Sequence, residues 1–326
     1  MRYTRRDLLK ATATAAISVS LPATVPRRAR AQSTVKIGTA VLGAYTLSAS
    51  VLVALEKGFF KEQGVNAEFV PFRGGPDLVK AVISGDVLLG LTGSTDILVF
   101  REAGSPIRMT ATQADGNDFV LVGPTEGTKM AELKGKTLGV TRIGAATWVF
   151  ARMAAKAQGW DPERDVKIVG LGGLDAQVAA LARKEIAAFV WGDYGTVTET
   201  QGRTKLILRM DTLTPKWIAS IQYASEDQIK KSPEAIRGAT RALFQALRFM
   251  KQSPAESAAI IGPKLSWTPE VVRAAHAACA PVFSEDGRIH VESLRAMQDA
   301  LLDAGSVKRR LPLEEHYTTE FTPVRL

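Results

Sequence analysis

From residue 35 onward, short apolar runs alternate with stretches in which apolar positions recur every three or four residues. The runs predict strands at residues 35–40, 67–71, 87–91, 107–112, 119–123, 136–140, 166–171, 187–191, 205–210 and 217–224. The stretches predict helices at 47–57, 76–84, 94–103, 146–158 and 176–184, and mostly helix after 226. Strands that are apolar throughout are typical of sheets covered by helices on both faces. The pattern predicts an α/β fold.

The predicted elements form one α/β series, then a second, then a group of helices. Chain crossings near 114–118 and 221–224 would join the two series. We therefore predict two lobes, each a mostly parallel sheet flanked by helices, with a ligand cleft between them. Lobe I is assigned to residues 34–115 and 222–326, and lobe II to residues 116–221.

Residues 1–31 do not follow this pattern. Residues 4–10, Thr-Arg-Arg-Asp-Leu-Leu-Lys, resemble the twin-arginine export signal, with Arg5 and Arg6 as the pair. The uncharged run at 11–25 is shorter than the roughly 20 apolar residues that span a membrane. A small-x-small sequence at 29–31 predicts cleavage after Ala31. We expect twin-arginine export to the periplasm; an uncleaved anchor or a basic tail is the alternative.

The net charge and the few cysteines and histidines exclude several classes. The leader carries seven basic residues and one acidic residue, so about +3 of the formal charge of +9 belongs to the mature chain. This balance gives no indication of nucleic-acid binding. Cys279 is the single cysteine, so no intrachain disulfide can form. His276, His290 and His316 lack the spacing of metal ligands, and we predict neither a metal nor a cofactor.

Five segments share their order and spacing with one family. They are Gly-Phe-Phe-Lys-Glu-Gln-Gly-Val at 58–65, Phe-Arg-Gly-Gly at 72–75, Ile-Ser-Gly-Asp-Val at 83–87, Glu-Leu-Lys-Gly-Lys-Thr-Leu-Gly-Val at 132–140 and Ala-Ala-Phe-Val-Trp at 187–191. They resemble the periplasmic substrate-binding proteins of ABC transporters of the nitrate/sulfonate/taurine class (SsuA/THI5-like, NMT1-like). The resemblance implies a type II periplasmic-binding-protein fold, a monomer, a small-molecule ligand and delivery to an ABC permease in the inner membrane.

Loops that follow the predicted strands carry the candidate ligand-binding residues, because open α/β sheets bind ligands beyond the carboxyl ends of their strands. In lobe I these residues are Tyr45, Thr46, Arg73, Gly74, Gly75, Ser94 and Thr95. In lobe II they are Arg142, Ala145, Ala146, Thr147, Trp191, Asp193 and Tyr194. The resemblance implies that the same regions contact ligand in the family.

The chemistry of these loops favours an organic anion. Helix starts at 94–95 and 146–147 offer N–H groups and a partial positive charge. Arg73 and Arg142 could pair bidentately with a carboxylate or sulfonate, and Trp191 and Tyr194 could stack on an organic ligand. Structural roles stay open beside these: helix capping at 94–95, solvent-exposed arginines and a core position for Trp191.

Asp193 points to a different ligand. Family members often carry an acidic residue immediately after the tryptophan, whereas here Gly192 follows Trp191 and the acid comes one residue later. If Asp193 faces the cleft, a pyrimidine or another amine is the alternative to a sulfonate or an aromatic carboxylate. Both ligand classes stay open at this point.

Two other functions fit the sequence less well. THI5-like relatives make a pyrimidine phosphate by consuming an active-site histidine, but no histidine precedes His276 here. We therefore predict a binding protein and not an enzyme. The effector domain of a transcription regulator shares the two-lobed architecture, but it would need a helix-turn-helix where this chain has its leader.

Overall fold

The computed structural model describes residues 34–326. The predicted leader, with Arg5, Arg6 and the cleavage at Ala31, lies outside the described residues. Within the described part, no helix combines the length and the apolar character needed to cross a bilayer.

The first part of the chain alternates strands and helices. Its elements are β1 (Val35–Thr39), α1 (Tyr45–Glu56), α2 (Phe59–Glu62), β2 (Ala67–Pro71), α3 (Gly75–Ser84), β3 (Leu89–Gly93), α4 (Ser94–Glu102) and β4 (Ile107–Asp115). The second part is β5 (Val120–Gly123), β6 (Thr137–Val140), α5 (Ala146–Ala157), β7 (Lys167–Gly170), α6 (Leu174–Ala182), β8 (Ala188–Trp191), α7 (Thr196–Thr200) and β9 (Lys205–Arg209).

The remaining chain returns through one strand and then becomes helical. It forms β10 (Ile218–Ser225), α8 (Glu226–Lys231), α9 (Pro233–Gln252), α10 (Pro254–Leu265), α11 (Pro269–Cys279) and α12 (Val291–Asp303). Proline occupies the first turn of α9, α10 and α11, where its missing N–H costs no hydrogen bond.

The ten strands form two five-stranded sheets of matching topology. The strand order is β2-β1-β3-β10-β4 in the first sheet, which forms lobe I, and β7-β6-β8-β5-β9 in the second, which forms lobe II. In each sheet the fourth strand of this order, β10 or β5, runs antiparallel to both neighbours. The other pairs are parallel. The predicted two-lobed α/β fold is thus confirmed.

The two segments that cross between the sheets lie side by side. The chain leaves the first sheet after β4 and returns before β10, and the backbone N–H of Gly116 donates to the carbonyl oxygen of Trp217 at 2.7 Å. Residues 218–221, which the sequence assigned to lobe II, belong to β10 and therefore to the first sheet. The lobe boundaries at 115/116 and 221/222 stay a prediction.

All ten strands overlap the strands expected from the sequence. Strands β3, β5, β8 and β10 are buried along their whole length, as expected for strands covered on both faces. The loops before α1, α3, α4 and α5 follow β1, β2, β3 and β6, and residues of all four regions meet at one place.

Candidate ligand-binding cleft

A cavity lies where these loops meet, with about 480 Å³ of empty space that includes its open mouth. From the first sheet and its helices it is lined by Ala40, Val41, Ala44, Thr46, Leu47, Gly75, Thr92, Gly93, Asp96, Ala219 and Ser220. From the second it is lined by Asp118, Phe119, Thr141, Ala145, Ala146, Thr147, Trp191 and Gly192. Six of the fourteen residues expected from the sequence are therefore in the lining: Thr46, Gly75, Ala145, Ala146, Thr147 and Trp191.

The start of helix α1 is capped by a carboxylate from the other lobe. The residue before α1 is Ala44, whose side chain cannot accept the orphan N–H groups of the first turn. Asp193, fully buried beyond the end of β8, accepts them instead: Oδ2 lies 2.7 Å from the backbone nitrogen of Tyr45, and Oδ1 lies 3.1 Å from that of Thr46. Asp193 thus joins lobe II to lobe I.

Asp118 holds the turn that presents Asp193. Its Oδ2 accepts the backbone N–H of Asp193 at 3.0 Å, and its carbonyl oxygen accepts that of Tyr194 at 2.8 Å. Asp193 and Tyr194 both have positive φ angles, 56° and 54°, in a region that non-glycine residues rarely adopt. The Thr46 hydroxyl reaches both carboxyl groups, at 3.3 Å from Asp118 and 3.4 Å from Asp193.

A second carboxylate bridges the lobes in the opposite direction. Helix α5 of lobe II is also preceded by an alanine, Ala145, and has no side-chain cap of its own. Asp96, on α4 of lobe I, accepts the backbone N–H of Ala146 at 2.8 Å through Oδ1 and the Thr92 hydroxyl at 2.5 Å through Oδ2. Each lobe therefore caps a helix of the other.

These acidic groups are held in an environment that disfavours their charge. Burial raises the pKa of Asp96 to about 7, against the opposing effect of its hydrogen bonds to Thr92 and Ala146. Burial, and secondarily the charge of Asp118, raises the pKa of Asp193 to about 7. Burial also raises the pKa of Asp118.

The cavity wall combines an indole ring with acidic groups and lacks basic ones. Trp191 is 2% exposed and Ser220 is 1% exposed. Neither the Trp191 Nε1 nor the Ser220 hydroxyl has a hydrogen-bond partner among residues 34–326. Asp96 and Asp118 are the acidic residues of the lining, and none of the described lining residues is Lys, Arg or His. Within the same range, no cluster of three or more His, Cys, Asp or Glu could hold a metal ion.

Two of the expected aromatic residues lie outside the cavity lining. The Tyr45 hydroxyl forms a 2.9 Å hydrogen bond with His276 Nδ1, and its ring stacks on Phe283 at 6.3 Å. Tyr194 is half-buried, and the Arg209 guanidinium lies 4.7 Å from the centre of its ring. The backbone of Tyr45 nevertheless lies beside the cleft, where its N–H donates to the Asp193 carboxylate.

The expected residues at the start of α4, and Arg73 and Gly74 after β2, are also outside the lining. The buried Ser94 hydroxyl donates to the carbonyl oxygen of Ile218 on the neighbouring strand. Thr95 is fully buried, and its hydroxyl has no partner within the described chain. Arg73 is exposed and forms an isolated antiparallel bridge with Val41. Helix α4 contributes its polar group to the cavity one residue later, through Asp96.

Arg142 forms an ion pair between the lobes and does not line the cavity. Its Nη2 lies 3.0 Å and its Nε 3.2 Å from Asp77 Oδ2, and both side chains are more than a third exposed. Gly74 makes room for this arginine, because a Cβ at that position would lie 2.4 Å from Arg142 Cγ. The pair therefore links α3 of lobe I to the loop before α5.

Sequence reasoning missed Asp96 and Asp118 as site residues. Asp96 reads as an ordinary acidic residue in the first turn of a helix, and Asp118 reads as part of a chain crossing. The available signal was the alanine before each of α1 and α5, since a poor N-cap on a buried helix requires an acceptor from elsewhere.

The comparisons with known proteins agree with this architecture. The profile described as NMT1/THI5 like matches residues 46–257. The two sheets and the cleft between them define the type II periplasmic-binding-protein fold. The chain belongs to the NMT1/THI5-like family, as the sequence motifs predicted.

Relatives with functional names are distant. A putative binding protein of Brucella abortus is 26% identical over 208 residues, which are 63% of this chain and 64% of that protein. The taurine-binding periplasmic protein of Escherichia coli is 28% identical over 193 residues, 58% of each chain. The formylaminopyrimidine-binding protein of Halalkalibacterium halodurans is 20% identical over 207 residues, 63% of each. The chain thus spans less than two thirds of the length of these relatives.

Solved structures share the fold over most of the chain. A Bordetella bronchiseptica protein superposes with a TM-score of 0.77 at 23% identity, covering 89% of this chain and 96% of that one. The alkanesulfonate-binding protein SsuA of Xanthomonas axonopodis, bound to MOPS, superposes with a TM-score of 0.74 at 18% identity, covering 87% and 98%. At these identities the likeness concerns the fold alone.

Proposed function

We propose that this chain is the solute-binding component of an ABC importer. It binds a small molecule between its two lobes in the periplasm, closes around it by a hinge motion and delivers it to a membrane permease. The family, the two-lobed fold and the cavity at the facing strand ends support this function. The taurine-binding periplasmic relative supports the location.

Of the two ligand classes left open by the sequence, we propose the amine- or aminopyrimidine-type solute. The carrying observation is the charge of the lining, which contains Asp96 and Asp118 and no basic side chain among the described residues. A carboxylate accepts hydrogen bonds from amino groups and repels a sulfonate. Of the two helix starts expected to attract an anion, that of α5 is already capped by Asp96, and that of α4 carries Asp96 in its own first turn. The formylaminopyrimidine-binding relative supports the same choice.

A binding role is favoured over catalysis. A yeast 4-amino-5-hydroxymethyl-2-methylpyrimidine phosphate synthase is 24% identical over 227 residues, 64% of each chain, so the family includes an enzyme. The described lining residues of this cavity include no histidine, cysteine or lysine that could act as a nucleophile or general base. Of the carboxyl groups present, Asp96 caps helix α5, and Asp118 accepts the backbone N–H of Asp193.

A thermal denaturation screen tests this function. The purified chain is heated with aminopyrimidines, other small amines, alkanesulfonates, taurine, aromatic carboxylates and nitrate. A ligand at about a thousand times its Kd stabilises the fold by roughly 4 kcal/mol, which shifts Tm by several degrees. We expect shifts with aminopyrimidines or amines. A shift confined to sulfonates or aromatic carboxylates would contradict the proposed ligand class, and turnover of a bound pyrimidine would contradict the binding role.

We further propose that residues 1–31 direct twin-arginine export, with cleavage after Ala31. Replacing both Arg5 and Arg6 by lysine should retain the protein in the cytoplasm. Periplasmic protein from this variant at the normal yield would exclude the twin-arginine route. The N-terminal sequence of the exported protein gives the cleavage position.

We also propose that the mature chain acts as a monomer without nucleic-acid partners. The modest net charge that remains after removal of the leader supports the second point. Light scattering coupled to gel filtration measures the mass directly. A dimer with or without ligand would contradict this proposal.

A further inference from the structure

Asp96 occupies the position that an anionic ligand would take at the start of helix α5. The carboxylate comes from lobe I, is 2% exposed and lies against the backbone nitrogen of Ala146 in lobe II at 2.8 Å. Its second oxygen accepts the Thr92 hydroxyl, so the side chain is fixed from both sides. Both Asp96 and Ala146 line the cavity.

Gly75 makes this arrangement possible. A Cβ at position 75 would lie 1.6 Å from Asp96 Oδ2 and 2.4 Å from its Cγ, distances that no side chain can accept. The backbone of Gly75 does not adopt a left-handed φ, so the need for glycine is one of space and not of conformation. Any other residue at 75 would displace the carboxylate from the start of α5.

The electrostatic effect of Asp96 is to reverse the preference of this end of the cavity. The first turn of a 12-residue helix such as α5 carries free N–H groups and about half a positive charge, which favours an anion. With a carboxylate fixed there, a second anion would have to lie beside a like charge. A group that donates hydrogen bonds is favoured instead.

Two other residues of the lining carry polar groups that lack a partner within the described chain. Trp191 and Ser220 are both part of the lining. The Trp191 Nε1 and the Ser220 hydroxyl are buried and have no hydrogen-bond partner within residues 34–326. Buried polar groups in folded proteins are nearly always hydrogen-bonded. A solute of mixed donor and acceptor character would satisfy them together with Asp96.

We propose that Asp96, positioned by Gly75, selects the charge of the solute that the cleft accepts. This inference rests on the proposed solute-binding function and deepens it. With aspartate at 96 the cleft excludes sulfonates and other organic anions. With a small neutral side chain at 96, the N–H groups of α5 become available and the same cleft accepts an anion.

The test measures anion binding to the full chain and its Asp96→Ser variant. Ethanesulfonate and 4-aminopyrimidine are the probes, titrated by calorimetry. We expect the variant to bind ethanesulfonate at least about tenfold more tightly than the unmodified chain, since a charge-assisted hydrogen bond replaces a repulsion. Asp175→Ser is the matched control. Like Asp96, Asp175 lies in the first turn of a helix, here α6 of lobe II, but its side chain is 96% exposed and it does not line the cavity.

A folded Asp96→Ser variant whose ethanesulfonate affinity equals that of the unmodified chain would overturn the inference. If that variant fails to fold, Asp96→Ala decides in its place, because alanine is the best helix former. Gly75→Ala should also increase the affinity for ethanesulfonate, because the added Cβ displaces the Asp96 carboxylate. Gly173→Ala is the control: no atom lies within 4 Å of its added Cβ, so the affinity for ethanesulfonate should stay unchanged. Failure of every amine probe with the unmodified chain would contradict the proposed ligand class alone.

Discussion

The carboxylate of Asp193 lies 2.7 Å from the backbone nitrogen of Tyr45, so a residue of the second lobe caps the first helix of the first lobe. The two residues are 148 positions apart in the sequence. Because helix N-termini favour a negative charge, this contact stabilises the arrangement in which the lobes face each other closely. The bond from Ala146 to Asp96 acts in the same way from the opposite side.

The fold should be more stable at mildly acidic than at alkaline pH. The pKa values of Asp96 and Asp193 are both raised to about 7 by burial, so between about pH 4 and 7 the folded state binds more protons than the unfolded state. The free energy of unfolding therefore falls as pH rises through this range, by at most about 1.4 kcal/mol per pH unit for each group. Urea denaturation at pH 5.5 and pH 8 measures the difference.

Asp193→Asn is the matched variant for this measurement. The amide oxygen can still accept one of the two N–H groups of α1, while the amide nitrogen faces the other and lowers the stability at every pH. The side chain no longer titrates. We expect the decline in stability between pH 5.5 and pH 8 to be smaller in the variant. An identical decline in both proteins would show that Asp193 does not titrate in this range.

Tyr45→Phe should affect stability more than ligand binding. The hydroxyl of Tyr45 bonds to His276 and does not line the cavity, so its removal costs about 0.5–1.5 kcal/mol of unfolding free energy. The backbone N–H that binds Asp193 is retained. We expect ligand affinity to stay within about twofold, since no hydrogen bond to the ligand is lost. A tenfold loss of ligand affinity would show that the Tyr45 hydroxyl contacts the ligand.

Arg142→Ala should have a small effect on the fold. The ion pair with Asp77 is partly exposed, and such pairs contribute about 0.2–1 kcal/mol. With Asp77 and Arg142 outside the lining, we expect ligand affinity to change by less than is found for Asp96 variants. A loss of 1.5–3 kcal/mol in binding, the range for hydrogen bonds to charged groups, would make Arg142 a ligand contact.

Trp191→Phe should weaken ligand binding while the fold is retained. Phenylalanine keeps most of the ring but removes the indole N–H, which costs about 0.5–1.5 kcal/mol if a ligand acceptor satisfies that group. Trp217→Phe is the matched control, because Trp217 is equally buried, also has an unpartnered Nε1 within the described chain, and does not line the cavity. Ligand affinity is measured by calorimetry. Equal effects of both substitutions on this affinity would show that the Trp191 N–H does not bind the ligand.

The sequence predicted the strands and most helices because their apolar periodicity is local. It did not predict that β5 and β10 run antiparallel, since strand direction depends on how the chain crosses between the sheets. The short helices α2 and α7 were also missed, because four or five residues are too few to show a helical period.

Six of the fourteen expected ligand-binding residues line the cavity, because strand ends and helix starts can be located from local patterns. Their ligand-binding roles stay predictions. The two carboxylates of the lining could not be predicted in the same way. Asp96 meets Ala146 across 50 positions of sequence, and no local pattern encodes such a contact.

The hydrogen bond from Gly116 to Trp217 has a mechanical consequence. The outgoing and returning segments of the main chain are bonded to each other where they pass between the sheets, so neither can bend without the other. Register irregularities between Ile218 and Ile221 place the least regular part of β10 next to that bond. We therefore expect the proposed hinge motion of the lobes to turn about an axis along this bonded pair of segments.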